Sequence, residues 1–401
     1  MYNALEEGGP IMQAVILSKA HIFYSPNKIV FGLETAKSLA NEVLQLGGKR
    51  VFIVTDPGVV KADLLQPIKA PLESVKIPYV VYDRVEPEPP IRCVKEATEQ
   101  FLSERCDVIV GFGGGSSLDV AKGVSVLATT GGNLLDLLGI DLVKKRGAAK
   151  ILIPTTSGTG SEVTRVSVVT DENDNTKKVV NSIYALADVA LVDPLLTLSV
   201  PPKVTADTGT DALVHAIETY VSLNATPFSD ILAEKAIGWI ATYLPIAWAK
   251  GSNLEARYFM SLAATTAGMA FASGGLGAVH ALAYPIGTEY RLPHGRSNAI
   301  MLPHIMKYNL SGNPEKYSNV AVLMGKRIEG LPATEGSLLA IEAVQELLET
   351  LQIPYRLRDY GISKKDFPKF VEGAMKFARL FIPNPRDVRE EDVLSIYEEA
   401  Y

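Results

Sequence analysis

The feature that most limits the fold is a set of short, nearly uninterrupted apolar runs: VFIVTD from Val51, YVVYD from Tyr79, DVIVGFG from Asp107, KILIPTT from Lys150 and DVALVDP from Asp188. They are short, rich in β-branched residues, and end in Gly, Asp, Pro or Thr. A strand without polar alternation is one covered on both faces. Between the runs lie ETAKSLANEVLQL and IRCVKEATEQFL, whose apolar residues recur at helical spacing. This βαβα order predicts a mostly parallel, twisted sheet covered by helices.

The texture changes after Pro201-Pro202. ALVHAIETYV, DILAEKAIGWIATYL and SLLAIEAVQELLETL have helical periods separated by Pro and Gly, and no strand pattern is evident from Lys203 onward. A chain of 401 residues exceeds the usual size of one core. The expected organisation is an α/β domain over residues 1–199, with the first dozen residues a loose extension, and an α-helical domain over residues 200–401.

A formal charge of -6 and the lack of any run of five Lys or Arg leave no basic face for a nucleic acid. Cys93 and Cys106 are too few for a disulfide framework and lack metal-type pairing, so reduced thiols are expected. The opening segment has acids where a signal peptide needs a basic region, and a cytoplasmic location is expected. Phe259 to Thr288 contains no Asp, Glu, Lys or Arg. Its Ala, Gly, Ser and Thr content and the Gly274-Gly275 break fit a buried helix pair better than a membrane span.

Chemistry gathers at two places. DVIVGFGGGSSLDVAK reads as a strand, a Gly113-Gly114-Gly115 turn, and a helix starting near Ser116 or Ser117. Glycines let the backbone approach a phosphate, and the free N–H groups of a helix start favour an anion. A tight turn that binds nothing fits equally well, and the G-x-G-x-x-G template is not met. ILIPTTSGTGSE ends in hydroxyls at the same kind of strand edge, where open α/β sheets bind ligands. Asp56 ends VFIVTD there. It could accept hydrogen bonds from a ribose and repel a 2′-phosphate, favouring NAD over NADP, or simply cap a helix.

The second place combines Asp211 and His215, four apart on a helical segment, with His280 and His294, two of only five histidines. A D-x-x-x-H pair alone is commonly a solvated helix face. Three imidazoles and a carboxylate together suit a divalent transition metal such as Fe(II), Zn(II), Co(II) or Ni(II) better than Ca(II) or Mg(II). Such a metal beside a nicotinamide would serve hydride transfer to and from a carbonyl. His21, in a strand-like run, and His304 are assigned structural roles.

With these residues in place, the chain resembles the iron-containing (group III) alcohol dehydrogenases of the dehydroquinate synthase-like superfamily. GGGSSLDVAK, PTTSGTGSEVT, DALVHAIE and HALAYPIGTEYRLPHG occur in the family's order, and the likeness runs from about Ala20 onward. The resemblance implies an N-terminal NAD-binding α/β domain, a C-terminal helical domain carrying metal and substrate, and a site between them. It implies metal ligands at Asp211, His215, His280 and His294, with Fe(II) ahead of Zn(II). It implies dinucleotide contacts at Asp56, Gly114, Gly115, Ser116, Asp119, Thr155, Thr156, Thr159 and Lys177. Where many members have a proton-relaying histidine, this chain has Tyr284. A phenol with a reference pKa of about 10 is a poor base near neutrality, so Tyr284 is expected to shape the pocket. Glu218 is expected to be an exposed helix glutamate rather than a residue orienting a ligand.

The expected activity is interconversion of a small primary alcohol or diol with its aldehyde, by a homodimer or larger homo-oligomer. Alternatives are a carbon–oxygen lyase using NAD transiently, a maleylacetate reductase-like enzyme, a hydroxyacid dehydrogenase, or a non-catalytic NAD- or metal-responsive protein. The lyase would need several basic residues for a phosphorylated acid, and no such cluster is evident.

Overall fold

The computed structural model describes residues 20–174 and 176–401, so the expected N-terminal extension lies outside the described residues. The strands are β1 (Lys28–Phe31), β2 (Val51–Val54), β3 (Tyr79–Tyr82), β4 (Val108–Gly113), β5 (Gly139–Ile140), β6 (Ala149–Pro154), β7 (Val166–Asp171), β8 (Thr176–Asn181) and β9 (Val189–Val192). Six of them form one parallel sheet in the order β1-β9-β6-β4-β2-β3. Strands β5, β8 and β7 form a separate sheet around an antiparallel β7–β8 hairpin.

Alternation along the buried strands divides the core into two layers. Phe52, Val54, Ile109 and Leu152 pack on one face with residues of α4 (Ile91–Ser103) and α5 (Gly115–Thr130). Ile53, Val110, Ile151 and Ile153 pack on the other with α1 (Leu39–Gln45) and α3 (Gln66–Ser74); α2 (Pro57–Lys61) caps the end of β2. The expected double coverage holds for the central strands. It does not hold for β3, where Tyr79, Val80 and Val81 are only half-buried because the strand lies at the sheet edge. His21 lies in irregular chain ahead of β1, not in a strand.

From Pro202 onward the described structure is helical: α6 (Pro202–Val221), α7 (Pro227–Ala249), α8 (Leu254–Gly274), α9 (Ala278–Tyr290), α10 (His294–Asn309), α11 (Pro314–Leu323), α12 (Ala333–Thr350), α13 (Phe367–Met375) and α14 (Glu390–Glu399), with short 3-10 turns. Every residue of α6 from Gly209 to Val221 is buried. A helix enclosed on all sides presents its polar residues to other helices rather than to water. The segment that could mimic a membrane span becomes α8 and α9, bent by 111° at their junction, and no single helix among the described residues is long and apolar enough to cross a membrane. His304 is buried on α10, its Nε2 at 2.9 Å from the Tyr355 carbonyl, in keeping with a structural role.

Polar contacts join the sheet to the helical part. Ser157 Oγ lies 3.1 Å from Ser261 Oγ, and Thr265 Oγ1 donates to the buried Glu162 carboxylate at 2.8 Å. Beneath them, the fully buried Lys122 of α5 donates to Ser161 Oγ at 2.7 Å, Thr164 Oγ1 at 3.1 Å and the Val166 carbonyl at 2.6 Å, with Asp119 at 3.5 Å. One ammonium thus holds a helix, the loop after β6 and the start of β7 together. Breaking a buried ion pair by removing one partner strands the other charge and costs about 3–5 kcal/mol. Lys122→Met is expected to lower stability by that order, read as a lower urea midpoint at unchanged m-value; a shift worth under about 1 kcal/mol would show that the network is not structural.

Candidate metal centre and dinucleotide edge

Helix α6 places Asp211 and His215 one turn apart on an interior face, and His280 and His294 approach from α9 and the first residue of α10. The two histidines flank a Pro- and Gly-broken stretch, which lets the chain reverse between α9 and α10. A Cβ on Gly295 would sit 2.1 Å from the Asp207 carbonyl oxygen, so only glycine lets the start of α10 press this closely on α6. Arg296 Nε donates to Asp207 Oδ1 at 2.5 Å, one turn before Asp211, and clamps the same junction.

One potential ligand atom from each of Asp211, His215, His280 and His294 lies within 4.8 Å of the others. Glu218, expected to be an exposed helix glutamate, is instead 6% exposed on α6. Its carboxylate accepts from Val279 N at 2.6 Å and faces His280 Nδ1 at 2.5 Å. A proton on Nδ1, held by Glu218, leaves the Nε2 lone pair facing the cluster. Glu218 lies three residues after His215 and seven after Asp211, a helical spacing that already pointed to the correct face.

The fully buried Asn298 supplies the only amide donor among the described residues at the centre of this arrangement. Its Nδ2 is 2.7 Å from Asp211 Oδ1 and 3.2 Å from both His280 Nε2 and His294 Nε2. Two amide hydrogens cannot satisfy three converging acceptors. Lone pairs outnumber protons, which is the condition a cation resolves.

The electrostatics agree. Burial pushes His215 down to about 4, although Asp211 opposes the shift. Burial pushes His294 down to about 3; Asp211 again opposes this, while Lys177 reinforces it. Burial raises the Asp211 pKa, but His215, His294 and His280 outweigh it and hold the carboxyl below its ordinary value. Neutral imidazoles with an ionised carboxylate form a donor set that a divalent transition metal fits without first displacing protons from His215 or His294.

Tyr284 stacks on His294 with ring centroids 5.5 Å apart and planes at 16°, and packs on Phe377 at 4.7 Å. Burial raises its hydroxyl pKa far above that of a free phenol, which removes it as a base. Lys177 on β8 is 12% exposed, ion-paired with Glu88, and 4.8 Å from the Tyr284 ring centroid. Lys178 points the other way and pairs with Asp174, as strand alternation requires, so Lys177 is the one that faces Tyr284. A cavity of about 320 Å³ opens beside Tyr284, lined by Lys177, Thr288, Glu289, Phe370, Lys376 and Phe377 among others.

At the carboxyl edge of the sheet, β2, β4 and β6 are neighbours. Asp56 does cap a helix: Oδ1 accepts from Val59 N at 3.0 Å, while Oδ2 accepts from Ser117 Oγ at 3.0 Å. That second bond ties it to the glycine turn. Gly114 is the N-cap residue and α5 begins at Gly115, one residue ahead of the expected start. A Cβ on Gly115 would lie 2.7 Å from Thr159 Cγ2, so the turn needs glycine to fit against the loop after β6. Ser116, Thr156 and Thr159 are half-buried along this edge, and Thr155 is buried, its N–H donating to the Gly113 carbonyl at 2.9 Å. Asp119 is not gathered with them. Its oxygens accept from Ser161 Oγ at 2.6 Å and Val168 N at 3.0 Å, inside the Lys122 network.

Models of the family described as iron-containing alcohol dehydrogenase match residues 26–194, and its C-terminal counterpart matches residues 205–401. The chain belongs to the iron-containing alcohol dehydrogenase family, and it is an oxidoreductase of the CH–OH class. It is 41% identical to long-chain-alcohol dehydrogenase 1 of Geobacillus thermodenitrificans over 388 residues, 96% of this chain and 98% of that one. A solved 1,3-propanediol oxidoreductase superposes with a TM-score of 0.93 at 39% identity, covering 96% of this chain and all of the other. A sulfoacetaldehyde reductase from Bifidobacterium kashiwanohense, solved with NAD+, gives 0.85 at 27% identity, covering 95% and 99%.

Two outcomes follow from this geometry. Glu218→Ala is expected to weaken metal binding about 10–100-fold, measured by competition with a chromogenic chelator; unchanged affinity would separate Glu218 from the metal. In cation-free protein, His215 and His294 have native pKa values below the ordinary value of about 6.5. The unfolded chain therefore binds more protons below that pH, and stability falls as pH drops from about 6.5, levelling off near about 4 to 3. Urea midpoints at neutral and mildly acidic pH should show the loss, and a shallower one in His215→Gln; equal slopes would contradict the assignment.

Proposed function

We propose that this protein is a divalent-metal-dependent, NAD-linked dehydrogenase that interconverts a small primary alcohol or diol with its aldehyde. The observation that carries the reading is the convergence of Asp211, His215, His280 and His294 around too few protons. When bound, a divalent cation supplies Lewis acidity toward a substrate oxygen, and a nicotinamide supplies or accepts the hydride. Fe(II) is the proposed native metal, with Zn(II) the alternative that the donor set also admits.

The chain's own groups do the positioning. Glu218 holds His280 in the tautomer that leaves Nε2 unprotonated. Tyr284 packs against His294 and excludes water from that side; it moves no proton. Gly114, Gly115 and Ser116 offer backbone N–H groups at the start of α5 to a pyrophosphate, beside Thr155, Thr156 and Thr159. Asp56 faces the ribose and favours NAD over NADP, and Lys177 approaches the cofactor from β8. Asp119 supports this edge from within through Ser161. In this reading, residues 1–199 form the NAD-binding domain and residues 200–401 the metal and substrate domain, working as a homodimer or larger homo-oligomer in the cytoplasm.

The test is an anaerobic screen of primary alcohols and diols with NAD and NADP, on protein loaded with Fe(II) or Zn(II), alongside elemental analysis. Net NADH formation that depends on metal supports the proposal. A catalytic NAD requirement without net NADH would instead indicate a lyase. Lewis-acid assistance is worth several kcal/mol, so His280→Ala should cost at least about 100-fold in kcat/KM and lose the metal while NAD binding is largely kept. Full activity in that variant would refute the metal assignment.

A further inference from the structure

Glu88 has no part in the roles assigned so far, yet it is held against the site. It stands in the loop after β3 with φ of 51°, a left-handed conformation that a glutamate rarely adopts. The loop is pinned there by β7. Thr170 Oγ1 donates to the Glu88 carbonyl at 3.0 Å, Thr170 N donates to the Pro89 carbonyl at 2.8 Å, and Arg92 pairs with both Glu86 and Glu172. A non-glycine residue kept in a sparsely populated conformation by its surroundings points to a functional constraint.

The side chain is 47% exposed and pairs with Lys177, which lines the cavity and lies over the ring that stacks on His294. Desolvation opposes ionisation of Glu88, but the Lys177 ammonium outweighs it and holds the carboxyl below its ordinary value. Of the other charges lining the cavity, Lys369 pairs with Glu289, Lys376 with Glu372 and Asp174 with Lys178, while the exposed Arg379 adds positive charge near Tyr284. Without Glu88, the ammonium of Lys177 and a divalent cation would make the reacting end strongly positive, a field that gathers anions.

We propose that Glu88 is a specificity-determining residue: its carboxylate cancels Lys177 at the mouth of the site and shuts out substrates with an anionic tail, leaving uncharged primary alcohols and diols. This rests on the dehydrogenase reading for the substrate class, but the charge selection itself is readable by binding alone. Discrimination of this kind uses an introduced repulsion as well as an attraction.

The test compares 3-hydroxypropanoate with 1,3-propanediol on metal-loaded protein, by calorimetry on the NADH complex and, separately, by turnover with NAD as the hydride acceptor. In the native protein the diol is expected to bind at least about tenfold tighter than the hydroxy acid, about 1.4 kcal/mol. Glu88→Gln should narrow or invert that ratio by about tenfold or more, and Glu88→Gln with Lys177→Met should restore it. An unchanged ratio in Glu88→Gln, or a native preference for the acid, would overturn the proposal. Far-ultraviolet circular dichroism and the NADH affinity of each variant identify a folding failure, in which case Glu88→Asn replaces it under the same criteria. Absence of turnover with every alcohol would sink the dehydrogenase reading while leaving the binding ratios to decide this one.

Discussion

Everything in the helical half is arranged around one imbalance: a buried carboxylate and three imidazoles aim lone pairs at a common point, with Asn298 as the nearest donor. Such a cluster is costly to bury in any soluble interior, because unpaired acceptors lose their hydration without replacement. A divalent cation turns the same cost into binding energy. The enclosure of α6, the glycine contact at Gly295 and the Arg296–Asp207 clamp all serve to hold α6, α9 and α10 at the spacing this requires.

The sheet half solves a different problem by the same means. Parallel strands place β2, β4 and β6 side by side, so their carboxyl ends bring Asp56, the glycine turn and the threonine loop to one edge. Lys122 and Glu162 then fix that edge to β7 and α8. The glycine-turn edge of the sheet and the Asp–His cluster are therefore held in one frame by buried polar contacts, and the Lys177–Glu88 pair stands beside Tyr284, which stacks on His294.

What could be read from the sequence follows the strength of each local signal. The five apolar runs became β2, β3, β4, β6 and β9; continuous β-branched character marks the four central strands, and β3 carries it too although it lies at the edge. β1 and the β7–β8 hairpin were not anticipated as strands: KIVF is half-exposed at an edge, and TKKVVN is only partly buried, so neither carries a long apolar run. The gathering of Asp211, His215, His280 and His294 was legible because histidine is scarce here and the motifs occur in the family's order. Glu218 was misread because a glutamate on a helix is usually solvated, and only the burial of α6 on all sides reverses that expectation. Glu88 carried no signal, since its partner lies 89 positions away; Asn298 stands one helical turn after His294, but its bond to Asp211 spans 87 positions and could not be read locally.

The most direct measurement is X-ray absorption at the metal edge on anaerobically loaded protein. The account predicts one cation per chain, with nitrogen and oxygen scatterers at about 2.0–2.2 Å and the outer-shell pattern of several imidazoles. Sulfur scattering at about 2.3 Å, or a spectrum of hydrated ion without imidazole, would contradict it.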